Sequence, residues 1–288
     1  MLRRLEWRVR QAVETMLTGN YRSTFRGRGM EFDQVVKYTW GDDLRDIDWN
    51  VTARLGEPYR KKFVEEREVS VLLVFEDSPA LQFGSAGRTR RDTLLEMAAL
   101  LLLLGGINRD RMGVLYASPE GFWFQRPLPG PDYARRCASL LLGQEAPPVN
   151  GPSRAEVPWR LALRGTAAHS VLVWLGAFTA SPPPDEWTLL CRRFQTLGCR
   201  ADDPWDFGLP GRTRMNVFDP QAGEVMDLHM GEAEREAHAA WAQRRDAYFG
   251  GLFPRASDQL LVSTDAPVFE TMVDFFLLNQ GREGRGGR

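Results

Sequence analysis

Lysine, cysteine and histidine are all scarce in this chain of 288 residues, with three of each. Cys137, Cys191 and Cys199 are too few for a disulfide framework, and their spacings fit neither C-x-x-C nor a zinc pattern. A reducing cytosol suits them best, so a cytoplasmic location is expected. His169, His229 and His238 are scattered and no H-E-x-x-H occurs, which leaves no metalloprotease signature. Lysine is confined to Lys37, Lys61 and Lys62, and the other 34 basic residues are arginine, a bias read here as genome composition. Long apolar runs are missing as well. The longest, Met97 to Leu104, has eight residues, against the roughly 20 that a bilayer span needs. The opening segment MLRRLEWRVRQAVETML is charged and amphipathic and lacks the continuous apolar centre of a signal peptide. Net charge is lacking too: 37 basic residues stand against 38 acidic ones. Neither a nucleic-acid partner nor a membrane span is therefore expected.

What is present is ordinary for a globular protein, with 43% apolar and 26% charged residues. Leu2, Leu5, Val9, Val13, Met16 and Leu17 have helical spacing. Gly19 to Gly41 reads as loop and short strand, and Thr52 to Glu68 as two extended pieces about a Gly56-Glu57-Pro58 turn. From Val69 onward the pattern alternates. VSVLLVFE (Val69 to Glu76) is a buried parallel strand, followed by a helix over Arg90 to Leu104 capped by Gly105-Gly106. Strands follow at Met112 to Ala117, Gly121 to Arg126, Ser170 to Leu175, Cys199 to Asp203 and Gln259 to Ser263. Helices are expected over Asp132 to Leu142, Asp185 to Leu197, Gly231 to Phe249 and Val268 to Leu278. A hairpin joins Thr213–Phe218 to Glu224–Leu228. The fold class is α/β, a mostly parallel sheet with helices on both faces. Residues 1–68 form an N-terminal helix and extended segment expected to pack on the main domain, 69–281 form that domain, and 282–288 form a disordered tail. In such sheets ligands bind beyond the carboxyl ends of the strands, so the loop at Glu76 to Phe83 is the first candidate site.

Several segments resemble the domain of unknown function 58 family. They are RGRGMEF (Arg26 to Phe32), GDDLRDIDW (Gly41 to Trp49), TARLGEPYRKKFVEERE (Thr52 to Glu68), VLLVFEDS (Val71 to Ser78), DRMGVL, DPWDFGLPG (Asp203 to Gly211) and DPQAGEVMDL. Within them Gly29, Glu31, Phe32, Gly41, Asp42, Asp43, Arg45, Asp48, Trp49, Arg54 and Glu66 carry the family motif. The resemblance implies a von Willebrand factor A-like (Rossmann-like) fold. It also implies a metal-ion-dependent adhesion site of the form Asp-x-Ser-x-Ser, joined by a Thr and an Asp from later loops. Mg²⁺ wants six oxygens in near-octahedral array, and a partner's carboxylate completes them. The resemblance further implies partnership with a MoxR-type AAA+ ATPase in chaperone-like assembly or maturation.

This chain departs from that pattern. The first Asp aligns with Glu76, the first Ser with Ser78 and the second with Ala80, which offers no oxygen. Where the later Asp would sit, the chain reads Gly176-Ala177-Phe178, and the Thr position corresponds weakly to Ser153. A register slipped onto Asp77 would restore one carboxylate but leave Ser78 adjacent to it. Mg²⁺ dehydrates reluctantly, so a degenerate site of this kind is expected to hold no metal. Asp42 and Asp43 are read as turn formers, and Asp46 and Asp48 as the polar face of a short strand. No G-x-S-x-G elbow or Ser–His pair places a reaction centre. The reading is a non-enzymatic protein-interaction module without cofactor, its docking candidates being Asp77, Ser78, Ser153, Ala177 and Phe178. The alternative is a Mg²⁺-dependent binder with a rearranged metal site.

Overall fold

The computed structural model describes residues 31–40, 42–43, 47–64, 69–85, 87–150, 152–179, 182–211, 214–219 and 224–283. The expected helix at Leu2 to Leu17, the tail, and Gly29, Gly41, Arg45 and Glu66 of the family motif lie outside them. The chain divides into two compact units, with one boundary between Glu68 and Val69.

In the smaller unit, Arg26–Glu68, strand β1 (Glu31–Lys37) runs antiparallel to β2 (Tyr59–Val64), with a register shift between Phe32 and Gln34. Glu31 and Phe32 thus fall on β1. Helix α1 (Trp49–Leu55) lies between the strands in sequence. Of the strand expected through Asp46 to Trp49, Asp46 lies outside the described residues, Ile47 makes an isolated antiparallel bridge to Arg60 and Asp48 is extended, but Trp49 already begins the helix. The Asp48 carboxylate accepts from the backbone N–H of Asn50 (3.0 Å) and Val51 (3.2 Å), an N-cap that starts a helix where alternation suggested a strand. Arg54 is in the last turn of α1, and Gly56, at φ +75°, closes it in the left-handed region that glycine enters freely. Asp42 does form a turn: it accepts from the Thr39 N–H (3.0 Å) and hydroxyl (2.8 Å) and pairs with Arg60 Nε (2.8 Å). Asp43 beside it is exposed.

The larger unit is mixed α/β. Its six-stranded sheet comprises β3 (Ser70–Glu76), β4 (Arg111–Ser118), β5 (Gly121–Leu128), β6 (Val171–Leu175), β7 (Gln195–Asp202) and β10 (Gln259–Ser263). The order is β10-β7-β6-β3-β4-β5, parallel except for the antiparallel edge strand β5. A separate hairpin pairs β8 (Arg214–Asp219) with β9 (Glu224–His229). The helices are α2 (Arg90–Ile107), α3 (Pro131–Leu142), α4 (Trp159–Gly165), α5 (Trp187–Arg193), α6 (Glu232–Leu252) and α7 (Val268–Glu283).

Central strands β3 and β6 are buried on both faces, which is why they read as unbroken Val/Leu runs. Side chains alternate between two cores. Val71, Leu73 and Phe75 join residues of α2, α3 and α7. Leu72, Val74 and Trp174 join residues of α4, α5 and α6, including Trp159, Leu190 and Phe249. Helix α2 starts at a capping box made by Thr89 and Asp92. It does not end at Gly105-Gly106 as expected. Those glycines lie inside it, because a Cβ on Gly105 would stand 2.2 Å from Met112 Sδ and one on Gly106 2.7 Å from Ala134 Cβ. Close packing of α2 on β4 and α3, rather than termination, accounts for the pair. Helix α5 ends at Arg193 and β7 already begins at Gln195, four residues before the strand expected at Cys199.

Candidate functional site

The chain leaves β3 toward β4 on one side of the sheet, then returns through α3 and α4 to enter β6 on the other side of β3. The loops after β3 and β6 consequently diverge at adjacent carboxyl ends, the switch-point arrangement that opens a crevice in α/β sheets. A cavity of 230 Å³ lies there, lined by Glu76 and Ser78 after β3 and by Trp174, Ala177, Phe178 and Thr179 at the end of β6. Ser153 and Arg154 from the segment leading into α4, Trp159 at the start of that helix, Glu186 and Tyr248 also line it.

Strand alternation decides what the two neighbouring acids do. Glu76 shares the face of Leu72 and Val74, and its Oε2 accepts from Trp174 Nε1 at 2.9 Å. Burial pushes its carboxyl above the ordinary range, partly offset by that hydrogen bond and by the Arg154 charge. Gly176 makes room for it: a Cβ at 176 would lie 3.2 Å from Glu76 Oε2. Glu76 at the end of β3 and the glycine just after β6 thus fit together, and a carboxyl at 176 would crowd and repel that of Glu76.

Asp77 turns to the opposite face. It is wholly buried, receives Arg91 Nε at 2.8 Å and the Tyr116 hydroxyl at 3.0 Å, and cannot meet a partner. Its place among the docking candidates is corrected on that ground, and the slipped metal register fails with it. Burial raises the Asp77 carboxyl, with Arg91 the main opposing influence. Arg91 also donates to the carbonyls of Gln144 (2.9 Å) and Glu145 (3.1 Å), tying α2 to the loop after α3.

Ser78 is buried at the start of a 3-10 turn, Pro79–Gln82. Ala80 is exposed, and its carbonyl accepts from Arg90 Nη1 (3.4 Å). Ser153 and Arg154 are exposed, whereas Ala177 and Phe178 are buried against the cavity. Phe178 has φ +48°, an uncommon conformation for a bulky residue. Packing holds it there, with ring centroids 4.9 Å from Trp174 and 4.8 Å from Phe249. Arg245 Nε donates to the Ala177 carbonyl at 3.1 Å.

Arg245 belongs to a buried network that sequence reasoning missed. Its guanidinium also reaches Asp206 Oδ2 (2.9 Å), Asp202 Oδ1 (3.0 Å) and the Ala201 carbonyl (3.1 Å). Arg90 pairs with the other oxygen of Asp206. Asp203 accepts from Ser85 and Thr264 hydroxyls, which overcome burial and hold its carboxyl below the usual range. The DPWD segment was the available signal, but nothing local in it foretells an arginine some 40 residues later. The network fixes the loop after β7 and anchors the loop after β6.

The residues at the cavity do not fit the Mg²⁺ site implied by the resemblance. Glu76 is engaged by an indole, Asp77 faces the other core, and Ala80 and Gly176 supply no side-chain oxygen. Among the described residues no group of three or more His, Cys, Asp or Glu is placed to hold a metal ion. None of the three histidines lines the cavity. Among the described residues no helix is long and apolar enough to cross a membrane.

The fold and site define an α/β domain with a small, partly aromatic cavity at its sheet switch point. Residues 34–248 match the family described as protein of unknown function DUF58, and the chain belongs to that family. It is 27% identical over 251 residues to uncharacterized proteins of Mycobacterium tuberculosis and Mycobacterium bovis, covering 85% of this chain and 78% of theirs. Among solved structures it is similar to the conserved hypothetical protein BatB from Bacteroides thetaiotaomicron, at 11% identity and a TM-score of 0.42, over 75% of this chain and 99% of that one. The proximal thread matrix protein 1 of the mussel byssus is also similar, at 9% identity and a TM-score of 0.37, over 74% of this chain and 47% of that one.

Proposed function

We propose that this protein is a non-enzymatic docking module built on a von Willebrand factor A-like scaffold. It recognises a protein partner at the carboxyl edge of its sheet by direct contact rather than through a bridging Mg²⁺. The observation that carries this reading is the close fit of Glu76, held by Trp174, against the bare Gly176. It leaves an accessible cavity at the switch point while engaging the carboxylate that would otherwise hold an ion. The partner proposed is a MoxR-type AAA+ ATPase or its client, working in assembly or maturation in the cytoplasm. That identity comes from the sequence resemblance, and the geometry supports only the surface.

Direct binding of the purified chain to the MoxR-type ATPase of the same organism tests the reading. A complex is expected, weakened at least about tenfold by Ser153→Arg or Thr179→Arg at the cavity mouth, the size of one lost interfacial contact of about 1.4 kcal/mol. Calorimetry with Mg²⁺ should give no binding heat. Absence of a complex with folded protein, or indifference to both substitutions, overturns the proposal.

A further inference from the structure

The cavity suits a side chain better than a cofactor. At 230 Å³ it falls below the roughly 300–1,000 Å³ of pockets that take drug-sized ligands. Trp159, Trp174, Phe178 and Tyr248 give it aromatic walls, and the Trp159 and Trp174 rings meet edge-on at 4.8 Å. Glu76 also lines it. One oxygen receives the Trp174 indole N–H, and among the described residues no donor reaches the other. A second acid, Glu186, lines the cavity and is held by Arg160 Nε at 2.9 Å. Arg154 also lines the cavity; it is exposed, and its charge is felt at Glu76. An acid half-satisfied among aromatic rings is a receptor for a flat, weakly hydrated cation: guanidinium donates in the plane of a carboxylate and stacks on rings.

We infer that the cavity receives an arginine side chain presented by the protein partner, seated against Glu76 and beside Trp159 and Trp174. The inference rests on the docking reading and gives that surface its chemistry. Polarity is the reverse of a metal-bridged adhesion site: the module supplies the acid and the partner supplies the cation. Lysine fits less well, because its compact ammonium is strongly hydrated and lacks a planar face.

The probe is N-acetyl-arginine methylamide, titrated into the full chain and followed by the indole Nε1–H resonance of Trp174, assigned with Trp174→Phe. Saturable binding is expected. The citrulline analogue, equal in shape but uncharged, should bind at least about tenfold more weakly, the weight of one charge-assisted hydrogen bond. Glu76→Gln keeps an acceptor for the indole and should weaken arginine by a similar factor, whereas Arg154→Ala should strengthen it by removing a competing charge. Equal binding of arginine and citrulline overturns the inference. So does preference for the lysine analogue, or for an N-acetyl-glutamate amide whose binding is lost in Arg154→Ala. The arginine–citrulline comparison uses the unaltered protein and decides the matter even if a variant fails to fold. ATPase binding unaffected by Glu76→Gln, with no arginine response, sinks the inference and leaves the docking reading intact. Arginine binding without any partner complex sinks the docking reading, and with it the partner as source of the arginine, while the cavity's choice of guanidinium stands.

Discussion

Replacing Arg91 with methionine removes the cation that faces Asp77 while keeping most of the side-chain volume. Asp77 has no exposed surface and Arg91 has 8%. The loss is thus that of one partner in a buried pair, which costs about 3–5 kcal/mol because the remaining charge stays desolvated. The Gln144 and Glu145 carbonyls also lose their donor, but they lie near the surface where water replaces it. In a unit of this size each kcal/mol lowers Tm by about 2–4 °C, so a fall on the order of 10 °C is expected near neutral pH. The effect has a signed pH dependence. Burial already holds the Asp77 carboxyl above its ordinary value, and losing Arg91 raises it further. A raised carboxyl penalises the folded state above its folded pKa, and the penalty fades as pH falls through that pKa toward the unfolded value. The gap between Arg91→Met and the parent should therefore narrow on acidification. Asp77→Asn combined with Arg91→Met should recover much of the loss, since no uncompensated charge remains. Thermal melts of the parent, both single variants and the double variant across pH supply the cycle. A gap that is flat with pH, or a double variant as unstable as the two singles summed, would refute the reasoning.

Two further outcomes follow from packing. Gly198→Ala places a Cβ 2.4 Å from Phe253 Cε2 and 2.8 Å from Phe249 Cε2. Overpacking there should cost about 1–3 kcal/mol, read as a drop in Tm, and should broaden the Trp174 indole resonance, whose ring lies 6.4 Å from Phe253. A variant as stable as the parent would show that these rings yield freely. For the cysteines, burial pushes Cys137 up to about 11 and Cys199 higher still, while Cys191 is exposed, its thiol raised chiefly by what burial it has. A thiol reagent at neutral pH should label one cysteine in the folded chain, slowly, and all three in denaturant. Rapid native labelling at Cys199 would contradict its place in β7.

Sheet composition and the alternation of strand and helix were legible from residue 69 onward, because a doubly covered parallel strand must be apolar on both faces. The segments VSVLLVFE and SVLVWL had no other use. That a cavity opens at the loop after Glu76 was legible because strand ends of such sheets diverge there. The start of α1 was hidden, since Asp48 as a cap and Asp48 as an alternating strand residue look alike until its carboxylate meets Asn50 and Val51 N–H. Gly105-Gly106 carried the same ambiguity between helix end and close contact.

Sequence by itself determined that Ala80 and Gly176 bring no side-chain oxygen to the loops after β3 and β6, since a missing atom is missing in any fold. Only the tertiary structure decided what the remaining acids do. Glu76 and Asp77 are adjacent in the chain, but the two-residue period of a strand sends one to an indole above the sheet and the other to an arginine below it. The arginines that hold the edge in place, Arg91 and Arg245, come from helices that only folding brings to the strand ends.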